Sequence, residues 1–141
     1  MDIRGAIATS AIRLAPGTDL RRELQAIAQQ KRIGAAILLG AVGSLSQVCL
    51  RFADAAVHTK LPGKHEILTL SGTVAEAGIH VHMTVADAQG NCKGGHLVEG
   101  CEVYTTVELV LALLPAVRFQ REFDASTGFK ELLIAPDSEF L

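Results

Sequence analysis

A single α+β domain, with a largely antiparallel β-sheet and flanking helices, is the fold this sequence predicts. Three observations predict it. One amphipathic helix near the start has clear start and stop signals. Most of the remaining chain falls into short Val-, Ile- and Leu-rich stretches cut by Gly, Pro and Asp. Hydrophobic residues make up 49% of the chain but aromatic residues only 4%, so the core has to be aliphatic. Many short strands with one or two helices define the α+β class. With 141 residues, 1–141 reads as one domain able to bury one core.

The elements follow in order. Ala6 to Leu14 is an apolar extended stretch, broken by Pro16-Gly17. Thr18 or Asp19 can cap the helix that follows, because a side-chain oxygen there accepts from free backbone N–H groups. Leu20, Leu24, Ile27 and Ala28 recur at helical spacing and form its buried stripe. Lys31 and Arg32 suit the negative end of the helix dipole, and Gly34 suits a left-handed stop. Ala35 to Leu39, Gly40 to Leu45 and Gln47 to Phe52 read as strands around a tight turn. Glu66 to Leu70 follows Pro62-Gly63 as another strand. Gly72 and Gly78 bracket a turn before the strand Ile79 to Val85, which ends at Asp87-Ala88-Gln89-Gly90. Val103 to Leu114 fits two descriptions: a helix with a Thr105–Glu108 capping box, or a buried strand. Phe119 to Phe123 and Phe129 to Ile134 flank turn residues and predict a hairpin.

Charge and cysteine content exclude some functions. The net charge is −2 and no basic run is present. The densest pairs, Arg21-Arg22 and Lys31-Arg32, fall on the helix surface. Non-specific DNA binding depends on Lys and Arg neutralising phosphates, so this balance argues against an intrinsic DNA surface and leaves a local patch, or one built across subunits, as the alternative. Cys49, Cys92 and Cys101 are an odd count without paired spacing, which is no disulfide framework. Met1-Asp2-Ile3-Arg4 lacks signal-peptide order, and no apolar run reaches membrane-spanning length. The expectation is a reduced, cytoplasmic protein.

Three histidines carry the most specific chemistry. His80 and His82, in Ile79-His80-Val81-His82, lie at strand period and project to one face. Their backbones stand roughly 6–7 Å apart. A hairpin centred on Gln89 puts His82 opposite His96, His80 opposite Val98 and Thr84 opposite Gly94. Directly opposed residues lie about 4.5–5.5 Å apart at Cβ. The three imidazoles then converge on one point, with Gly94 and Gly95 leaving room or forming a bulge that shifts the register. Three neutral His ligands predict a divalent metal site with an open coordination position, as in catalytic zinc sites. Such an ion can acidify water or polarise a carbonyl. Zinc is the first expectation, with Ni, Fe or Mn compatible. The alternative is three histidines satisfied by hydrogen bonds.

Weaker candidates surround this group. Glu66 could orient a histidine or act as a general base. Glu99 and Glu102 would line the same pocket if their strand continued. Cys92 would share the histidine face, although a small buried thiol is its plainer reading. Arg13 could bind an anion or pair with a carboxylate. His58 and His65 lie in a polar stretch and read as solvated. No phosphate loop, dinucleotide fingerprint or Ser/His/Asp order is present.

Several stretches occur in a familiar order: Leu14-Ala15-Pro16-Gly17-Thr18-Asp19-Leu20, Gly40-Ala41-Val42-Gly43-Ser44-Leu45, Gly63-Lys64-His65-Glu66-Ile67-Leu68, His80-Val81-His82 and Gly94-Gly95-His96-Leu97. Together they resemble the plants-and-prokaryotes-conserved (PPC) domain over nearly the whole chain. The resemblance implies an α+β fold, homotrimers, and a metal site on His80, His82 and His96. It also implies similarity to the fold of acetolactate decarboxylase, a three-His zinc enzyme. Stand-alone prokaryotic members are often called DNA-binding proteins, while plant members carry AT-hooks. This chain has no Arg-Gly-Arg-Pro hook, and Lys64-His65 stands where plant members have Arg-Phe. The resemblance also favours a strand over Val107 to Leu113. Two functions follow as expectations: a DNA-binding or regulatory module carrying the metal site, or a metal-dependent lyase or hydrolase on a small oxygen-containing substrate. A purely structural metal is the third.

Overall fold

The computed structural model describes residues 2–140. Seven strands build one antiparallel sheet: β1 (Ala8–Leu14), β2 (Ala36–Arg51), β3 (Thr59–Leu61), β4 (His65–Ala75), β5 (Gly78–Ala86), β6 (Cys92–Leu97) and β7 (Glu102–Leu113). Their spatial order is β1-β7-β2-β4-β5-β6, with β3 on β2. The far end of β2 also pairs with β6, so β2, β4, β5 and β6 close into a ring. A separate hairpin, β8 (Val117–Asp124) and β9 (Phe129–Pro136), follows.

The helix forms as its spacing predicts. It is α1 (Leu20–Gln30), capped by Asp19, whose carboxylate accepts from the Arg22 N–H at 3.0 Å. The other Asp19 oxygen accepts from the Gly100 N–H at 2.7 Å, tying the helix start to the sheet. Leu20, Leu24, Ile27 and Ala28 are its buried residues. They join one aliphatic core with Val81, Met83 and Val85 of β5. The expected stop differs: Arg32, at φ 50°, takes the left-handed position instead of Gly34. Gly34 serves the hairpin, its carbonyl accepting from the Phe119 N–H at 2.9 Å.

Several strand expectations are corrected. Ala36–Arg51 is one 16-residue strand rather than strands around a tight turn. Its register against β7 shifts between Leu38 and Gly40, between Gly43 and Ser44, and between Leu45 and Gln47. Such bulges bend a strand without ending it. Bending lets β2 serve β7 and β4 with its first part and β3 and β6 with its end. Gly72 lies inside β4, not in a turn; the turn is Glu76-Ala77. A Cβ on Gly72 would stand 2.0 Å from the His80 carbonyl oxygen, so this glycine permits close approach of β4 to β5. The segment that fitted two descriptions is a strand, β7, as the family resemblance favours. One α-helix and a short 3-10 turn (Ser138–Phe140) complete the described residues.

The hairpin β8–β9 packs Phe119 against Ala35 and Ala75. Arg118 clamps it, donating to Glu76 and to the buried Asp137, both at 3.0 Å. No helix among the described residues is long and apolar enough to cross a membrane.

Candidate metal centre

Strand β5 alternates between two environments. Val81, Met83 and Val85 point into the core, so His80, His82 and Thr84 must face outward. The turn after it is held by Asp87, whose carboxylate accepts from the N–H groups of Gln89 and Asn91, both at 2.9 Å. The Asn91 side-chain amide, donating to Asp87 at 3.1 Å, is the largest influence holding this carboxyl below its usual range, followed by the Asn91 N–H. The turn sets the expected register: His82 opposes His96 and Thr84 opposes Gly94. Gly94-Gly95 introduces no bulge. The expected His80–Val98 pairing does not form, because β6 ends at Leu97.

The three imidazoles meet. Their ring centroids lie 5.0 Å (His80–His82), 5.2 Å (His80–His96) and 5.7 Å (His82–His96) apart. One nitrogen from each lies within 4.8 Å of the other two, a spacing that ring rotation closes onto one ion. His80 and His82 are exposed and His96 is half-buried. The Nδ1 atom of His96 is buried without a hydrogen-bond partner. A buried polar atom left unpaired is costly, and a metal ion would satisfy it. Burial, then the charge of Arg51, pushes the His96 imidazole down to about 4. Burial, then the neighbouring His82, lowers His80 as well. Both are therefore neutral at pH 7, the form that binds metal. The residues fit a three-nitrogen metal centre.

A cleft of about 200 Å³ opens beside the histidines, lined by Ser71, Gly72, Thr73, His80 and His82. Ser71 opposes His82 and Thr73 opposes His80 across β4–β5. On the other side Arg51 opposes His96 across β2–β6. One outward row thus runs Ser71, His82, His96, Arg51. Arg121 reaches in from β8, its Nη2 donating to Thr73 Oγ1 at 3.0 Å. Sequence reading missed Ser71, Thr73, Arg51 and Arg121, because each reaches the site through a non-local pairing.

Other candidates fall elsewhere. Glu66 pairs with Ala86, four residues along β5 from His82, or about 13 Å away. It is exposed and outside the histidine group. Glu99 binds Arg22 at 2.8 Å and Glu102 accepts from Ser46 at 3.2 Å, and neither joins the histidine group. Cys92 is exposed at the turn. Arg13 faces Glu108 along a shallow groove of about 840 Å³ between β1, β7 and β2. His58 is exposed as expected, but His65 is buried, its Nδ1 3.0 Å from the Gly63 carbonyl.

A seven-stranded antiparallel sheet closed through β2, one packed helix and an outward three-histidine cluster define a small α+β domain with a candidate metal centre. The chain belongs to the Plants and Prokaryotes Conserved (PCC) domain family, which matches residues 1–115. This is the family the sequence motifs resemble. It is 48% identical over 132 residues to a bifunctional protein GlmU from Synechococcus sp., matching 94% of this chain and 21% of that protein. The chain spans about a fifth of the length of the curated relatives it matches. A hypothetical protein from Salmonella has a similar structure, with a TM-score of 0.92 and 40% identity over 95% of this chain and 97% of its own. A metal-containing protein from Archaeoglobus fulgidus aligns with a TM-score of 0.80 and 26% identity, over 94% and 99% of the two chains. A Bacteroides thetaiotaomicron protein provisionally designated as DNA-binding shares the fold, with a TM-score of 0.75 and 19% identity over 95% and 97%.

Proposed function

We propose that this domain is a metal-binding module whose three-histidine centre engages a small oxygen-donor molecule. The observation that carries this is the convergence of His80, His82 and His96 within 4.8 Å, on an open face. A divalent ion, zinc first, supplies Lewis acidity toward an oxygen donor at such a centre. His80, His82 and His96 would hold it, and the core behind β5 fixes their orientation. Among the described residues no fourth His, Cys, Asp or Glu joins the group, which favours an open position over a closed structural site. A lyase or hydrolase follows from the same centre, with proton transfer left to groups other than the distant Glu66. The metal-containing relative from Archaeoglobus supports the reading.

Elemental analysis of the purified protein tests it. One equivalent of divalent metal is expected in the wild type and almost none in His82→Ala. A metal-free wild type that takes up no zinc on reconstitution overturns the reading.

The DNA-binding reading has the provisional designation of the Bacteroides relative behind it. A domain of this kind should bind duplex DNA with a steep salt dependence. Absence of binding at low salt removes it for this chain. Assembly as a homotrimer would cover the exposed Leu39 and Val42 of the groove between β1, β7 and β2. The free thiols of Cys49, Cys92 and Cys101 suit a reducing, cytoplasmic setting.

A further inference from the structure

The surroundings of the histidines have the wrong sign for a site that only holds a cation. Metal sites built for the ion alone gather carboxylates or thiolates. Here arginines gather instead. Arg51 opposes His96 across β2–β6, and opposed residues share a face, so it stands beside the cluster on the β6 side. Arg121 stands on the opposite side. Its guanidinium is held by Thr73 Oγ1 at 3.0 Å, and Thr73 opposes His80 and lines the cleft. The Arg121 stem packs over the turn into β5, with Cγ 3.7 Å from where a Gly78 Cβ would lie. Among the described residues neither arginine forms an ion pair; all four salt bridges present use other cations.

A bound divalent ion would add to the positive charge of Arg51 and Arg121. A partly buried guanidinium without an anion is a docking group waiting for one, since planar N–H pairs match a carboxylate.

We propose that the site takes a small carboxylate, which offers one oxygen to the metal's open position and its charge to Arg51 and Arg121. This rests on the metal-centre reading above and names the ligand class for it. Ser71 and Thr73 supply hydroxyl groups on the cleft wall for a hydroxyl or carbonyl next to the carboxylate. Arg121 lies on the hairpin beyond the residues matched by the family, 1–115. One of the two charge contacts is thereby placed on an element outside the matched residues, while the histidines, Arg51, Ser71 and Thr73 lie within them.

The test uses the full chain loaded with Co(II), whose visible spectrum reports on the coordination sphere without any turnover. The probe is glycolate, with glycolamide as its neutral counterpart. Glycolate should change the spectrum saturably, and glycolamide should bind at least about ten-fold more weakly, the scale of one charge-assisted contact. Arg121→Gln and Arg51→Gln should each weaken glycolate by a similar factor at unchanged Co(II) stoichiometry. Arg121→Lys, which keeps the charge, should recover part of the loss and guards against a merely unfolded Gln variant. Co(II) uptake with equal response to glycolate and glycolamide, or with Gln variants binding as the wild type, overturns this inference alone. No Co(II) uptake overturns the metal-centre reading and this inference with it.

Discussion

The buried Nδ1 of His96 governs how the metal-free protein responds to acid. Its imidazole is held down to about 4 by burial and by Arg51, against about 6.5 in an unfolded chain. As pH falls below 6.5 the unfolded state takes up the proton first, and the folded state follows only near 4. The stability linked to this group is therefore fully present above 6.5 and is lost as pH falls through that window. Metal-free protein should show a urea midpoint that declines as pH falls from about 6.5 to about 5, before most carboxylates titrate. His96→Gln should flatten that decline. Gly72→Ala should act through sterics: its Cβ would meet the His80 carbonyl at 2.0 Å, and φ is +153°. Overpacking of this kind costs about 1–3 kcal/mol, a fall of several degrees in melting temperature by calorimetry. At this scale the histidines were legible because strand period and a local turn fix them. His65 was misread for a physical reason. Its neighbours Pro62, Gly63 and Lys64 are polar or turn-forming, yet the strand begins at His65 itself and turns the ring inward.

The elements divide by how local their causes are. The start and buried stripe of helix α1 were readable because they lie within one segment, whereas its stop came at Arg32 rather than Gly34. Leu24, fully buried, should cost about 2–5 kcal/mol when truncated to Ala, seen as a lower urea midpoint with the far-UV spectrum retained. Strand β2 was not readable as one element. Gly40 and Gly43 look like turn residues, but at Gly43 a Cβ would lie 2.3 Å from the Thr106 carbonyl, so glycine is there to let β7 approach. The hairpin β8–β9 was legible in outline, but its docking was not, since that depends on Arg118 meeting Glu76 and Asp137 far along the chain. Arg118→Met should leave Asp137 buried without its partner, at about 1–3 kcal/mol. Hydrogen exchange should then quicken in β8 and β9 while α1 stays protected.

Across the whole molecule the decisive event is the return of β2 to β6, which closes the sheet and brings Arg51 beside His96. No periodicity announces such a pairing, so the cationic flank of the site was invisible in the sequence. The same curvature leaves an apolar groove on the other part of the sheet, where Leu39 is 55% and Val42 61% exposed. If copies of the chain meet there, Val42→Glu should reduce the mass measured by light scattering to the 14.9 kDa of one chain. An unchanged mass would move the contact elsewhere.

Strand β5 threads both the site and the core, residue by residue: His80, then Val81, then His82, then Met83. A slip of one residue would bury the ligands and expose Val81 and Met83 together. The fold thus proofreads the metal site. Any rearrangement that misaligns the histidines also costs the domain its hydrophobic interior, so an intact domain carries its ligands in register.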